Sequence, residues 1–169
     1  MTNHLTRRSV PPGLYTAEER ARRDATVWTT IQGILAPLQF VVFLISLALV
    51  IRYLWNGQGY EAATLSIVIK TGVLYLIMIT GAIWEKIVFG QYLFAPAFFW
   101  EDVFSFAVIA LHTAYLWALV AGVLDPVSLM MLALAAYAAY VINAVQFVLK
   151  LRAARLQAAS TSQAGEVIA

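Results

Sequence analysis

Four stretches of this 169-residue chain are long and apolar enough to cross a lipid bilayer, which takes about 20 helical residues each. That feature decides most of what the chain can fold into. A bilayer offers no water to backbone N–H and C=O groups, so each crossing segment has to pair them internally, as a helix does. The spans are expected at about 28–54, 62–84, 98–122 and 127–151. Their charged residues are few: Arg52 in the first, Lys70 in the second, Glu101 and Asp102 opening the third, and Lys150 near the end of the fourth. A polar segment precedes the first span, which is unlike a cleavable signal peptide. The fold class is an all-α membrane protein, a four-transmembrane-helix antiparallel bundle with a short N-terminal interfacial helix. The bundle should occupy residues 14–155, between disordered tails at 1–13 and 156–169.

Composition narrows the function. The chain is 62% apolar and 12% charged, against about 45–50% and 25% in ordinary globular domains, so disorder, coiled coil and collagen are excluded. It has no Cys, hence no disulfide, thiolate nucleophile, iron–sulfur cluster or Cys-ligated zinc. A net charge of +2 is too small to point to nucleic acid.

The connections set the packing order. Asn56–Gly59 and Gly122–Pro126 are tight, breaker-rich turns joining antiparallel neighbours. The middle connection, Glu85–Pro96, is longer and apolar, and reads either as an interfacial loop or as a segment tucked back over a site. Arg7, Arg8, Arg20, Arg22 and Arg23 before the first span, with Lys150, Arg152 and Arg155 at the end of the last, place both termini in the cytoplasm by the positive-inside rule. Thr16-Ala-Glu-Glu19 is a capping-box pattern opening a short surface helix, in which Glu18/Arg22 and Glu19/Arg23 stand at i,i+4 spacing.

Ionisable and polar groups at membrane depth are costly and tend to mark a site. Glu101 and Asp102 also suit a first helical turn, where acids complement the dipole. Glu85 does not have that explanation, because it lies at a helix C-terminus. Glu85, Glu101 and Asp102 are therefore the candidate acid–base residues. Glu101, Ser105, Val108 and His112 share a face, with His112 about ten residues, or roughly 15 Å, beyond Asp102. His112 has three readings: a buried histidine bonded to a neighbouring helix, a proton-handling group, or an axial ligand to a tetrapyrrole metal. Gln32 and Gln39 are seven apart on one face of the first span, and Pro37 between them frees the Gly33 carbonyl. Tyr140, Asn143, Gln146 and Lys150 form a polar stripe on the fourth span, either as interhelical glue or as ligand contacts. Lys70 lies deep enough that snorkelling would be strained. Tyr92-Leu-Phe94 and Phe98-Phe99-Trp100 are aromatic clusters that read either as an interfacial belt or as a rim for a flat aromatic substrate. Together these groups outline a carboxylate-lined pocket facing the cytoplasm, with Gln32, Trp100, His112, Tyr140, Asn143 and Gln146 as candidate substrate contacts.

Several runs resemble one family. Leu14–Thr26, Gly33–Phe40, Ile83–Lys86, Phe94–Phe104, Ala110–Tyr115 and Ala136–Ala144 are similar to the BchF family, the vinyl bacteriochlorophyllide hydratases, with similarity over about residues 14–155. The resemblance implies a hydro-lyase of bacteriochlorophyll biosynthesis that adds water to the C3 vinyl group of chlorophyllide a or a related pigment, giving a 1-hydroxyethyl group. It implies no cofactor, magnesium arriving only within the chlorin, and no metal site of the protein's own; the axial-ligand reading of His112 would then be toward that magnesium. The implied partners are a chlorophyllide-type tetrapyrrole, water and the lipid bilayer, with other enzymes of bacteriochlorophyll synthesis as candidate neighbours and no nucleic acid. The implied location is the bacterial inner membrane, cytoplasmic or intracytoplasmic and photosynthetic. The alternative is a non-catalytic chlorin carrier or assembly protein of the photosynthetic membrane.

Overall fold

A computed structural model describes residues 14–166, and among them all regular structure is helical. The elements are α1 (Ala17–Ala25), α2 (Val27–Asn56), α3 (Tyr60–Phe89), α4 (Phe99–Ala121) and α5 (Pro126–Glu166). Helices α2 to α5 are the four expected spans, each long and apolar enough to cross a membrane. Their outward faces carry large apolar side chains, Trp55 and Val120 being 88% exposed. A surface of that kind is stable in lipid rather than in water. The chain is a multi-pass membrane protein.

Local chemistry explains where the helices begin and end. The Thr16 hydroxyl accepts from the Glu19 N–H at 3.2 Å, and the Glu19 carboxylate accepts from the Thr16 N–H at 2.7 Å, closing the expected capping box of α1. At the α2–α3 turn Gly57 and Gly59 are both left-handed, with φ of 70° and 85°, a conformation that costs other residues roughly 1–2 kcal/mol. The i,i+4 ion pairs expected in α1 do not form. Arg23 pairs with Asp24 and lies over the Tyr15 ring. Arg22 donates to the Val88 carbonyl at 2.8 Å, where a cation favours the C-terminal end of α3. Tyr15 also stacks on Phe89, with ring centroids 5.7 Å apart. The short helix is thus pinned across the end of α3.

The helices pack in cyclic order: α2 chiefly on α3, α4 chiefly on α5, with α3 also meeting α4 and α5 meeting α2. Phe43, Ile67, Val108, Tyr115, Met130 and Tyr137 lie in the main core. Two boundaries differ from those read from sequence. Helix α3 continues to Phe89, so the middle connection shrinks to 90–98, and its Ala95 and Phe98 are buried against the bundle. Helix α5 runs to Glu166, where a span ending at 151 and a disordered tail from 156 were expected. The reason is local: Arg152–Ala159 is rich in Ala, Arg, Leu and Gln, strong helix formers without a breaker. The expected tail at 1–13 lies outside the described residues.

Candidate active site

The bundle is closed in one half and open in the other. Helices α2 and α5 meet where the Phe43 ring packs on Tyr137 and Tyr140, at centroid distances of 5.4 and 5.0 Å. Toward α1 a cavity of about 1240 Å³ lies between them, lined by residues of all five helices. Pockets for drug-sized ligands are commonly about 300–1,000 Å³, so this one has room for a macrocycle. Pro37 and Gly33 both line it, at the point where the proline interrupts the α2 hydrogen-bond ladder.

Two carboxyls stand side by side in its wall. Glu85, from the last turns of α3, and Asp102, from the first turn of α4, are 6% and 3% exposed and in direct interaction. The middle connection folds back over them. The Phe94 N–H donates to Asp102 Oδ2 at 2.6 Å, and the Ala95 N–H makes a longer contact of 3.4 Å to Glu85 Oε2. Phe94 has a φ of 60°, the one positive-φ residue among those described that is not glycine. Its short bond to Asp102 offsets a backbone conformation that is otherwise unfavourable.

Beyond Asp102 the wall is polar. Ser105, one turn further along α4, accepts from Asn143 Nδ2 at 2.8 Å, which leaves Asn143 Oδ1 buried without a partner. On the other side Gln32 donates to the Thr80 hydroxyl at 2.7 Å, and Trp84 Nε1 to the Thr29 hydroxyl at 2.9 Å. Tyr140 and Asn143 of the α5 stripe also line the cavity.

Other candidates are placed elsewhere. Glu101 is held by Lys150 Nζ at 2.6 Å, across the α4–α5 contact, and does not line the cavity. That pairing engages Glu101 with Lys150, away from the cavity. Glu101→Gln is therefore expected to reduce turnover by less than the roughly hundredfold that loss of a general acid brings, while Lys150→Met should resemble it in stability; kinetics and thermal unfolding of the two variants check this. Trp100 is 66% exposed on the outer face, stacked edge-on with Phe99. Gln146 is half-buried, with Oε1 unpartnered, but lies off the cavity lining.

His112 and Lys70 are placed together, away from the cavity. Neither is exposed at all. His112 Nδ1 is bonded to the Val108 carbonyl at 2.8 Å, so Nε2 is the acceptor for Lys70 Nζ at 2.7 Å. Lys70 Nζ also lies 4.3 Å from the Tyr140 ring centroid. Lysine does not snorkel because a partner and two aromatic faces satisfy it in place. Both imidazole nitrogens are engaged and His112 does not line the cavity, so it is not positioned to ligate a substrate metal. Its place is the first of its three readings, a buried histidine bonded to a neighbouring helix.

Gln39 lines the cavity but was absent from the candidate contacts. It is 2% exposed, and neither its Oε1 nor its Nε2 has a partner. Its seven-residue spacing from Gln32 was the available signal.

Four apolar helices walling a cleft, with two buried carboxyls in its lining, define an integral-membrane helical bundle with a carboxyl-bearing pocket. Comparison with known proteins refines that class. The model of the family described as 2-vinyl bacteriochlorophyllide hydratase matches residues 15–153. A curated relative from Rhodobacter capsulatus, named 2-vinyl bacteriochlorophyllide hydratase, is 74% identical over 147 residues, covering 87% of this chain and 85% of its own. A relative of the same name from Cereibacter sphaeroides is 74% identical over 144 residues, covering 85% and 89%. No solved structure matches the chain. The chain belongs to the 2-vinyl bacteriochlorophyllide hydratase family.

Proposed function

We propose that the Glu85–Asp102 pair carries out the family's reaction, addition of water to the vinyl group of a bacteriochlorophyllide-type pigment in bacteriochlorophyll biosynthesis. The enzyme is a hydro-lyase, as its 74% identical relatives are named. The observation that carries the assignment is the contact of two buried carboxyls within a cleft large enough for the pigment.

Two carboxyls in contact and out of water do not both ionise readily; such a pair holds one proton. The fold distinguishes its members. Asp102 lies at a helix N-terminus and accepts a short backbone hydrogen bond, both of which favour its anion. Glu85 lies at a helix C-terminus with only a long contact, which favours the acid. Glu85 therefore gives its proton to the terminal vinyl carbon. Positive charge forms on the adjoining carbon and spreads into the macrocycle. Water held by Asn143 Oδ1 and the Ser105 hydroxyl attacks that carbon, and Asp102 takes the proton released. Transfer of that proton from Asp102 to Glu85, which it touches, restores the starting state. Every atom is accounted for by pigment, water and the pair. Hydration is redox-neutral, so the scheme draws on no redox cofactor, and magnesium is part of the pigment.

Chlorophyllide a is the expected substrate. The enzyme resides in the bacterial inner membrane, with both termini and the carboxyl-bearing end of the bundle on the cytoplasmic side, as the arginines around α1 and at the end of α5 favour. Incubating membranes that contain the protein with chlorophyllide a in heavy-oxygen water tests the function. A labelled hydroxyethyl product supports it, whereas pigment bound without turnover identifies a carrier.

A further inference from the structure

The mechanism leaves Gln39 without a role, yet its position is the least comfortable in the cleft. Its side chain is almost wholly buried, it lines the cavity, and both ends of its amide lack partners. An amide unpaired in an apolar setting costs several times what a typical hydrogen bond contributes. Ordinary packing glue would have found a neighbour, as Gln32 does one face-repeat earlier at Thr80.

Its distance from the carboxyls indicates what it meets. The contacts Gln32–Thr80 and Ser46–Ser66 set the α2–α3 register, which brings Gln39 level with residue 73 of α3. Glu85 lies twelve residues further along, about 18 Å at 1.5 Å per residue. Gln39 thus stands at the inner end of the cleft and the carboxyl pair near its mouth. A pigment whose vinyl group is at Glu85 presents its opposite edge to Gln39. In chlorophyllide-type pigments that edge carries the exocyclic ring with its ketone oxygen, an acceptor that Nε2 can serve. Leu74, Met78 and Tyr140 also line the cleft, and the Lys70 amine behind Tyr140 is engaged by His112.

We propose that Gln39 is a specificity-determining residue, donating a hydrogen bond through Nε2 to the exocyclic ketone of the pigment and so fixing which end of the macrocycle enters first. The inference rests on the hydratase reading. Resonance Raman spectroscopy of bound pigment tests it without requiring turnover, so its failure is distinguishable from failure of that reading. In the wild type the ketone stretch should fall to a lower frequency on binding, and in Gln39→Leu and Gln39→Met it should stay at its free value. Kinetically, KM for the ketone pigment should rise about tenfold in either variant, with kcat little changed. A ketone-free analogue should bind wild type and variants alike. An unshifted ketone stretch in the wild type, or a shift that survives both substitutions, overturns the proposal. So does an equal discrimination between the two pigments by wild type and variant.

Discussion

Replacing Glu85 by Gln should lower the hydration rate at saturating pigment by about two to four orders of magnitude, the range for a lost general acid. The amide keeps the size of the side chain but cannot deliver a proton to the vinyl carbon. Asp102→Asn should cause a loss of similar size through the other half of the cycle, because water would attack with no base to receive its proton. The double variant should be little worse than either alone, since the two carboxyls act as one proton-handling unit. Pigment affinity should change far less than turnover, because most of the cleft lining is apolar and untouched. Single-turnover kinetics alongside pigment titration separates these quantities. Losses that multiply in the double variant, or near-wild-type rates in either single one, would remove the pair from the chemistry.

The second large effect is on stability and concerns Lys70 and His112. His112→Leu leaves the Lys70 amine fully buried with no hydrogen-bond partner, which should cost about 3 kcal/mol. Lys70→Met leaves only the imidazole Nε2 without a partner, Nδ1 keeping its bond to Val108, and should cost less. Replacing both removes the need for either partner, so Lys70→Met/His112→Leu should be more stable than His112→Leu alone. Thermal unfolding in detergent measures the cycle, and simple additivity would show that the pair is not coupled. Hydration kinetics in the double variant should stay close to wild type, because neither residue lines the cleft.

The architecture was legible because its signals are covalent and local. Span length, the Thr16 capping box and the glycine turns depend on neighbours in sequence, and each is found in place. The α5 extension was missed because charge and polarity were read as the end of a span, although helix propensity continues past it. The site was legible only in its residue types. Sequence singles out Glu85, Glu101 and Asp102 alike, since all three are acids near the same end of the bundle. Separating Glu101 from the other two requires knowing that Lys150, 49 residues away, reaches it. His112 had two functional readings beside the structural one and Lys70 had no assigned role, and their mutual satisfaction is a tertiary fact. Gln39 could be named only for its seven-residue spacing from Gln32; what sets it apart is the lack of a partner, which that spacing does not reveal.

The cleft lies on a particular seam of the bundle. Short connections tie α2 to α3, α3 to α4 and α4 to α5, but α2 and α5, the outermost spans of the chain, share no loop. Three of the four seams are therefore tethered at one end, and the fourth is held by side-chain contacts alone, such as those around Phe43. Phe40 and Val148, on opposite banks of it, line the cavity while remaining 47% and 64% exposed. The opening thus faces sideways as well as toward α1. A greasy pigment can then be exchanged by diffusion in two dimensions, handed from lipid to protein and back without ever dissolving in the aqueous phase.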